Sequence, residues 1–124
     1  MATDTIGSSV LARRYAAALL DLAEKSGNIN AIEKDLTSFE SLVAAHRDFR
    51  IVTTGPLFSR EIQSAIVSDV AKKAGLNDLT IRFLTILAKN RRLGAFTELA
   101  SAFRRALSGR RGEVHARVET AFAL

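Results

Sequence analysis

Apolar residues return every three or four positions along most of this chain, and that period constrains the fold more than any other feature. From Ser9 to Glu24, Ala12, Tyr15, Ala16, Leu19, Leu22 and Ala23 keep helical spacing, and Gly27 supplies a stop. The period restarts at Ile32, Leu36, Phe39 and Val43, behind an Asn30 and Glu33 pair that fits a capping box. A short apolar piece from Phe49 to Val52 predicts a brief third helix before "TTGPLFS", the loop that holds the only proline. Ser59 predicts the cap of a fourth helix, with Ile62, Ile66, Val70 and Ala74 at four-residue intervals up to Gly75. A fifth is expected from about Asp78, as its N-cap, to Asn90. A sixth places Phe96, Leu99, Ala100, Phe103 and Leu107 on one stripe before Gly109. Six helices with short connections predict an all-α fold, a compact six-helix bundle over residues 1–108.

After Gly112 the period changes. In "EVHARVETA" the apolar Val114, Ala116 and Val118 alternate with His115, Arg117 and Glu119, the two-residue repeat of a half-buried strand. One strand alone leaves its backbone groups unpaired, and nothing else in the sequence reads as a partner. Residues 109–124 are therefore expected to be a linker and the first strand of a missing C-terminal α/β domain, with the chain continuing past Leu124.

Composition narrows the function. With 48% hydrophobic and 25% charged residues the chain has enough apolar material for its own core. It has no cysteine, which removes disulfides, thiolate nucleophiles and zinc ribbons. No P-loop glycine pattern or nucleophile elbow is present, and His46 and His115 are too few and too far apart to suggest a metal site. No catalytic residues, cofactor or metal are expected. Neither an apolar leader nor a run of about 18 apolar residues occurs, so no direct membrane insertion is expected. The opening "MATD" favours a bacterial chain over an organellar one carrying a leader.

Charge is uneven. Residues 1–90 hold 11 Lys/Arg against 10 Asp/Glu, whereas residues 91–124 hold 7 against 3, so +4 of the net +5 sits in the last third. The arginines at 89–92 and 104–112 raise the alternative of a basic helical nucleic-acid-binding module, and "SGRRGE" superficially resembles a KH-domain GXXG loop. That loop joins two helices, whereas this one precedes a strand-like segment; there is no Trp, one Tyr, and no aromatic residue interleaved with the arginine pairs. The stretch "ILAKNRRLGAF" reads better as a structural corner at Asn90, Arg92 and Leu93. Cations suit the carbonyl end of helix five, and Asn90 tolerates the left-handed conformation that closes many helices.

The same corner lies in a longer segment, "RFLTILAKNRRLGAFTELASAF", that resembles the ATP synthase δ subunit family, called the oligomycin-sensitivity conferring protein in mitochondria. Its Phe-Leu-x-x-Leu-x-x-Asn-x-Arg-Leu pattern is matched by Phe83, Leu84, Leu87, Asn90, Arg92 and Leu93. The opening "LARRYAAALLDLA" is similar to the family's first helix, with Ala12, Arg13, Tyr15 and Ala16 in place. The closing "RGEVHARVETAFAL" resembles its linker into a second domain. The resemblance implies a non-catalytic subunit of a proton-translocating ATP synthase, part of the F1 sector and of the peripheral stalk or stator. It further implies a peripheral position at the cytoplasmic face of the bacterial inner membrane, or on the matrix side in organelles.

Helices one and five carry more apolar surface than one-sided packing uses, with arcs of roughly 200° and roughly 220°. Read from the residues, this means either central helices buried all round or an exposed groove that accepts a partner helix. The resemblance implies the groove, with the N-terminal helix of the ATP synthase α subunit as its occupant and the stalk b subunits engaged by the missing domain; alone, the chain is expected to be monomeric. Carried onto this sequence, the groove residues are Leu11, Tyr15, Ala18 and Leu22 on helix one and Ile81, Leu84 and Ala88 on helix five, with Arg13, Arg14 and Arg82 as a charged rim.

Overall fold

The computed structural model describes the backbone of residues 2–123 and the side chains of residues 10–112. The elements in order are α1 (Ala2–Ser26), α2 (Ile29–Ala45), α3 (Arg47–Thr54), α4 (Arg60–Lys73), α5 (Asp78–Lys89), a 3-10 turn (Leu93–Ala95) and α6 (Phe96–Ala123). The described residues form six α-helices and no strand. α1 lies along α6 and α4 along α5, while α2 touches α1, α3, α5 and α6 and so joins the two pairs. Between them, Leu19, Leu20, Ile32, Leu36, Phe39, Leu84, Leu87, Leu99 and Phe103 are all but fully buried. Phe39 sits at their centre, edge-to-face with Phe49 on one side and Phe96 on the other.

Three helices end by one device. After α1, Gly27 N–H donates to Glu24 O and Asn28 N–H to Ala23 O; after α4, Gly75 N–H donates to Lys72 O and Leu76 N–H to Ala71 O. After α5, Arg91 N–H donates to Ala88 O and Arg92 N–H to Leu87 O. Each is the paired closure of a Schellman motif, which needs one left-handed residue. Gly27 and Gly75 supply it at φ 71° and 74°, and at the third corner it is Arg91 at φ 54°. The expectation that Asn90 takes this conformation is corrected: Asn90 stays at φ −87°, because the hydrogen-bond count from Leu87 and Ala88 puts the reversal one residue later.

Helix starts differ from expectation at two places. The Asn30 capping box does not form, since α2 already begins at Ile29 behind Asn28, which makes no side-chain cap. α5 is capped by Asn77, whose side chain accepts from Leu79 N–H, with Asp78 inside the first turn. Ser59 caps α4 as expected, accepting from Ile62 N–H at 3.2 Å.

Two larger corrections concern α4 and the tail. The buried side of α4 is Gln63, Ser64, Val67 and Ala71, while Ile62 and Ala74 are exposed and Ile66 and Val70 half-buried. At the tail, α6 passes Gly109 without stopping and the backbone of 113–123 is helical, so the first strand expected there is not observed. Val114, Val118 and Phe122 recur every four residues, a spacing that fits a helix as well as an alternating strand, and among the described residues there is no strand with which this segment could pair. The side-chain alternation itself falls outside the described residues.

Candidate functional site

The open apolar surface begins on α1. Ala12, Ala16, Leu19, Leu20 and Ala23 are buried, so this helix packs from one side only. Leu11 and Tyr15 are half-buried, Ala18 is exposed and Leu22 keeps 46% of its surface. Spaced at i, i+4, i+7 and i+11, these four form one stripe beside the buried face. It runs about 17 Å, room for roughly three turns of a second helix.

α5 lies antiparallel beside that stripe. The Tyr15 and Phe83 rings meet edge-to-face with centroids 6.1 Å apart, and Asn90 Nδ2 donates to the Tyr15 hydroxyl at 3.2 Å. At the other end, Leu22 of α1 lines a shallow furrow with Leu79 and Arg82 of α5. The α5 residues nearest the stripe are therefore Leu79, Phe83 and, on the same side of the helix, Ile86, which is 51% exposed.

This corrects two of the expected α5 residues, since Leu84 and Ala88 are completely buried; half-buried Ile81 lines, with Arg82, Thr85 and Ile86, a furrow along Ser68 and Lys72 of α4. Fully covered side chains cannot meet an incoming helix without reopening the core. A roughly 220° apolar arc leaves the core direction undecided, and at Leu84 and Ala88 the chosen flank is the core side. A usable signal was present: Asp78, Arg82 and Lys89 mark the solvent side of α5, and Ile86 lies among them. On α1 the rim is likewise narrower than expected. Arg14 is exposed beside the stripe, but Arg13 points to the far side, into a furrow with Glu98, Ser101 and Arg105 of α6.

Polar groups fix α5 at both ends. At its start, Asp35 of α2 accepts from Asn77 N–H at 2.8 Å and from the Thr80 hydroxyl at 2.7 Å, placing a carboxylate at the positive end of the helix dipole. At its end, the Arg91 guanidinium donates to Phe58 O at 3.1 Å and to Gln63 Oε1 at 3.3 Å. Gln63, 1% exposed, in turn donates to Val52 O and Gly55 O. Asn90 and Arg91 thus tie α5 to α1 and to the α3–α4 loop, while Leu93, 4% exposed, inserts into the core. Arg92 is exposed.

Three arginines of α6 are engaged with carboxylates, while Arg105 donates to the Ser101 hydroxyl. Arg104 pairs with Glu40, Arg110 with Asp21 and Glu24, and Arg111 with Glu33. Hydrogen bonds to Glu24, then Asp21, hold the Arg110 guanidinium above its ordinary pKa, so it stays charged. The basic last third is in good part a seam that fastens α6 to α1 and α2.

Among the described residues no group of three or more His, Asp or Glu could hold a metal ion, and no helix is long and apolar enough to cross a membrane. The features that stand out are an open apolar stripe on α1 and a set of fastened corners, which define an all-α helical bundle. Comparison with known proteins places it further. The profile of the ATP synthase delta (OSCP) subunit family matches residues 11–124. The ATP synthase subunit delta of Paramagnetospirillum magneticum is 40% identical over all 124 residues, and that of Mesorhizobium japonicum 38%. The Brucella suis biovar 1 protein is 39% identical over 94% of the chain. The chain spans 62–67% of the length of these relatives. Among solved structures, a chain in the cryo-EM structure of the Polytomella F-ATP synthase F1 head and rotor has the same fold, with a TM-score of 0.75 at 22% identity over 81% of this chain and 88% of that one. The protein belongs to the ATP synthase delta (OSCP) subunit family.

Proposed function

We propose that this chain is a non-catalytic stator subunit of an F-type ATP synthase, and that its bundle holds the N-terminal helix of an α subunit along the furrow between α1 and α5. The observation that carries this reading is the stripe of Leu11, Tyr15, Ala18 and Leu22, left open where α1 runs beside Leu79, Phe83 and Ile86 of α5. Small Ala18 lets a helix backbone come close. Tyr15 offers its ring to an apolar side chain while its hydroxyl stays with Asn90. In this reading the remainder of the full-length protein engages the b subunits of the stalk at the cytoplasmic face of the bacterial inner membrane. The joint is a tether: two modest contacts in one chain raise each other's effective concentration, which lets a stator resist torque without one large interface.

The nucleic-acid alternative loses ground. Of the arginines at 89–92 and 104–112 that it would need facing phosphates, Arg104, Arg110 and Arg111 are engaged with carboxylates of α1 and α2, while Arg91, Arg92 and Arg105 pair with none among the described residues.

The test is an amide-resolved NMR titration with a peptide covering the N-terminal helix of the cognate α subunit. Shifts are expected at 11–22 and 79–86, with Leu22→Asp weakening binding by at least about tenfold, the scale of one desolvated interface anchor. Absence of binding, or shifts centred on 104–112, overturns the assignment.

A further inference from the structure

Four of the seven large apolar side chains that the described residues expose lie within twelve positions of one another, away from the α1 stripe. They are Ile51 in the second turn of α3, Leu57 and Phe58 in the α3–α4 loop, and Ile62 in the first turn of α4; Leu57 keeps 86% of its surface. Exposed apolar loop residues mean little when the loop is slack. This one is fastened on both sides of its tip. Gly55 N–H donates to Ile51 O at 2.9 Å, and the chain passes so close that a Cβ at 55 would lie 2.6 Å from that oxygen. Pro56 fixes the next φ. Gln63 holds the carbonyls of Val52 and Gly55, Arg91 holds that of Phe58, and Ser59 closes the loop by capping α4. Arg91 bears a left-handed backbone, unfavourable for a non-glycine residue, in the position from which its side chain reaches the loop. The apolar tip is held in a set shape, so binding there loses little loop entropy.

The rim supplies the sign of the partner. Arg47 shares the α3 face of Ile51 one turn away, Arg60 follows the Ser59 cap, and Arg91 and Arg92 sit on the α5 corner that grips Phe58. Among the described residues none of these four arginines has a carboxylate within 4.0 Å, in contrast to Arg104, Arg110 and Arg111. Asp48 and Glu61 are the acidic residues interspersed with them.

We propose that this end of the bundle is a second docking surface, independent of the α1–α5 furrow, and that its occupant is an acidic amphipathic helix of another protein subunit. Apolar side chains of that helix cover Leu57, Phe58 and Ile62, and its carboxylates meet Arg47, Arg60 and Arg92. Such charge matching orients the partner and speeds encounter, while the apolar centre supplies the contact energy. An anionic bilayer fits less well, because a flat negative surface presses on Asp48 and Glu61, whereas a helix can align its carboxylates with the arginines alone.

The experiment uses the full-length protein assembled in its synthase, with a benzophenone amino acid in place of Leu57 and, separately, of Ala18. Illumination and mass spectrometry then read what each position touches. The expected Leu57 adduct is a segment of another subunit with net negative charge and apolar residues at helical spacing. Arg47→Glu with Arg60→Glu is expected to lower that adduct by at least about tenfold while the Ala18 adducts persist. Both positions are exposed, and a glutamate suits the first turn of α4, so these changes leave the fold intact. Adducts only with lipid, only within this chain, with a segment lacking net negative charge, or none at all, each overturn the proposal; failure at Ala18 alone bears on the furrow instead.

Discussion

The two edges of α5 behave differently although one helix supplies both. Toward α4 the edge is closed: Leu84 and Ala88 are fully buried and Ile81 is half-covered by α4. Toward α1 it stays open, with Ile86 of α5 and Leu22 of α1 each about half exposed and one aromatic contact, Tyr15 on Phe83, bridging the gap. The apolar content of the two edges is similar, so hydrophobicity alone does not explain the difference. What differs is the neighbour. α4 is fastened by a short loop and by Gln63 at one end, whereas α1 is pulled to the other side by α6 and by the ion pairs from Arg110 to Asp21 and Glu24.

The sharpest way to break this comparison is to damage the closed edge. Leu84→Ala is expected to cost about 2–5 kcal/mol, the range for truncating a fully buried leucine, read by urea or thermal unfolding. A cost below about 1 kcal/mol means that the closed edge is not part of the core.

Next comes the polar anchor of the α3–α4 loop. Gln63→Ala leaves the carbonyls of Val52 and Gly55 without their side-chain donor and is expected to cost about 1–3 kcal/mol. Amide exchange is expected to quicken in 52–58 before it changes in α1. Uniform loss of protection instead shows that Gln63 stabilises the whole bundle rather than this loop.

On the open edge the expectation inverts. Leu22→Asp and Ile86→Asp are each expected to cost only about 1 kcal/mol, because about half of each side chain already faces water in the free chain. If either costs as much as Leu84→Ala, the open edge is closed in solution and the furrow is not a surface.

How much of this is legible in the sequence follows from where information resides. The six helices are read from the apolar period and from Gly27 and Gly75, since a left-handed closure almost demands glycine. The core directions of α1 and α5 are not, because an arc of 200° or more is compatible with several orientations; the charges Arg82 and Lys89 narrow it only once they are weighed against the apolar residues. α4 misleads for a related reason. Its strongest period, Ile62, Ile66 and Val70, belongs to the outer and half-buried side, and its core side carries Gln63 and Ser64, polar residues whose partners are backbone carbonyls invisible to any periodicity. The strand expected after Gly112 fails because nine residues of alternation also contain a four-residue repeat.

The smallest stability change is expected where the two edges meet. At the α5 corner, Asn90 reaches Tyr15 on the open side and Arg91 reaches Phe58 and Gln63 on the closed side. Arg91→Gly relieves the left-handed backbone by about 1 kcal/mol but removes two hydrogen bonds, each worth roughly 0.5–1.5 kcal/mol, so the net effect on unfolding lies near zero or slightly unfavourable. The local readout is larger than the global one. Without the guanidinium, amide exchange in 55–58 is expected to rise while the Tyr15 ring and its Asn90 contact keep their chemical shifts. Arg91→Lys separates the terms further, since it retains the strained backbone and a charge but cannot present two fixed nitrogens to Phe58 O and Gln63 Oε1. If Arg91→Gly leaves the loop as protected as before, Gln63 and Gly55 suffice to shape it, and the arginine is there for its exposed charge alone.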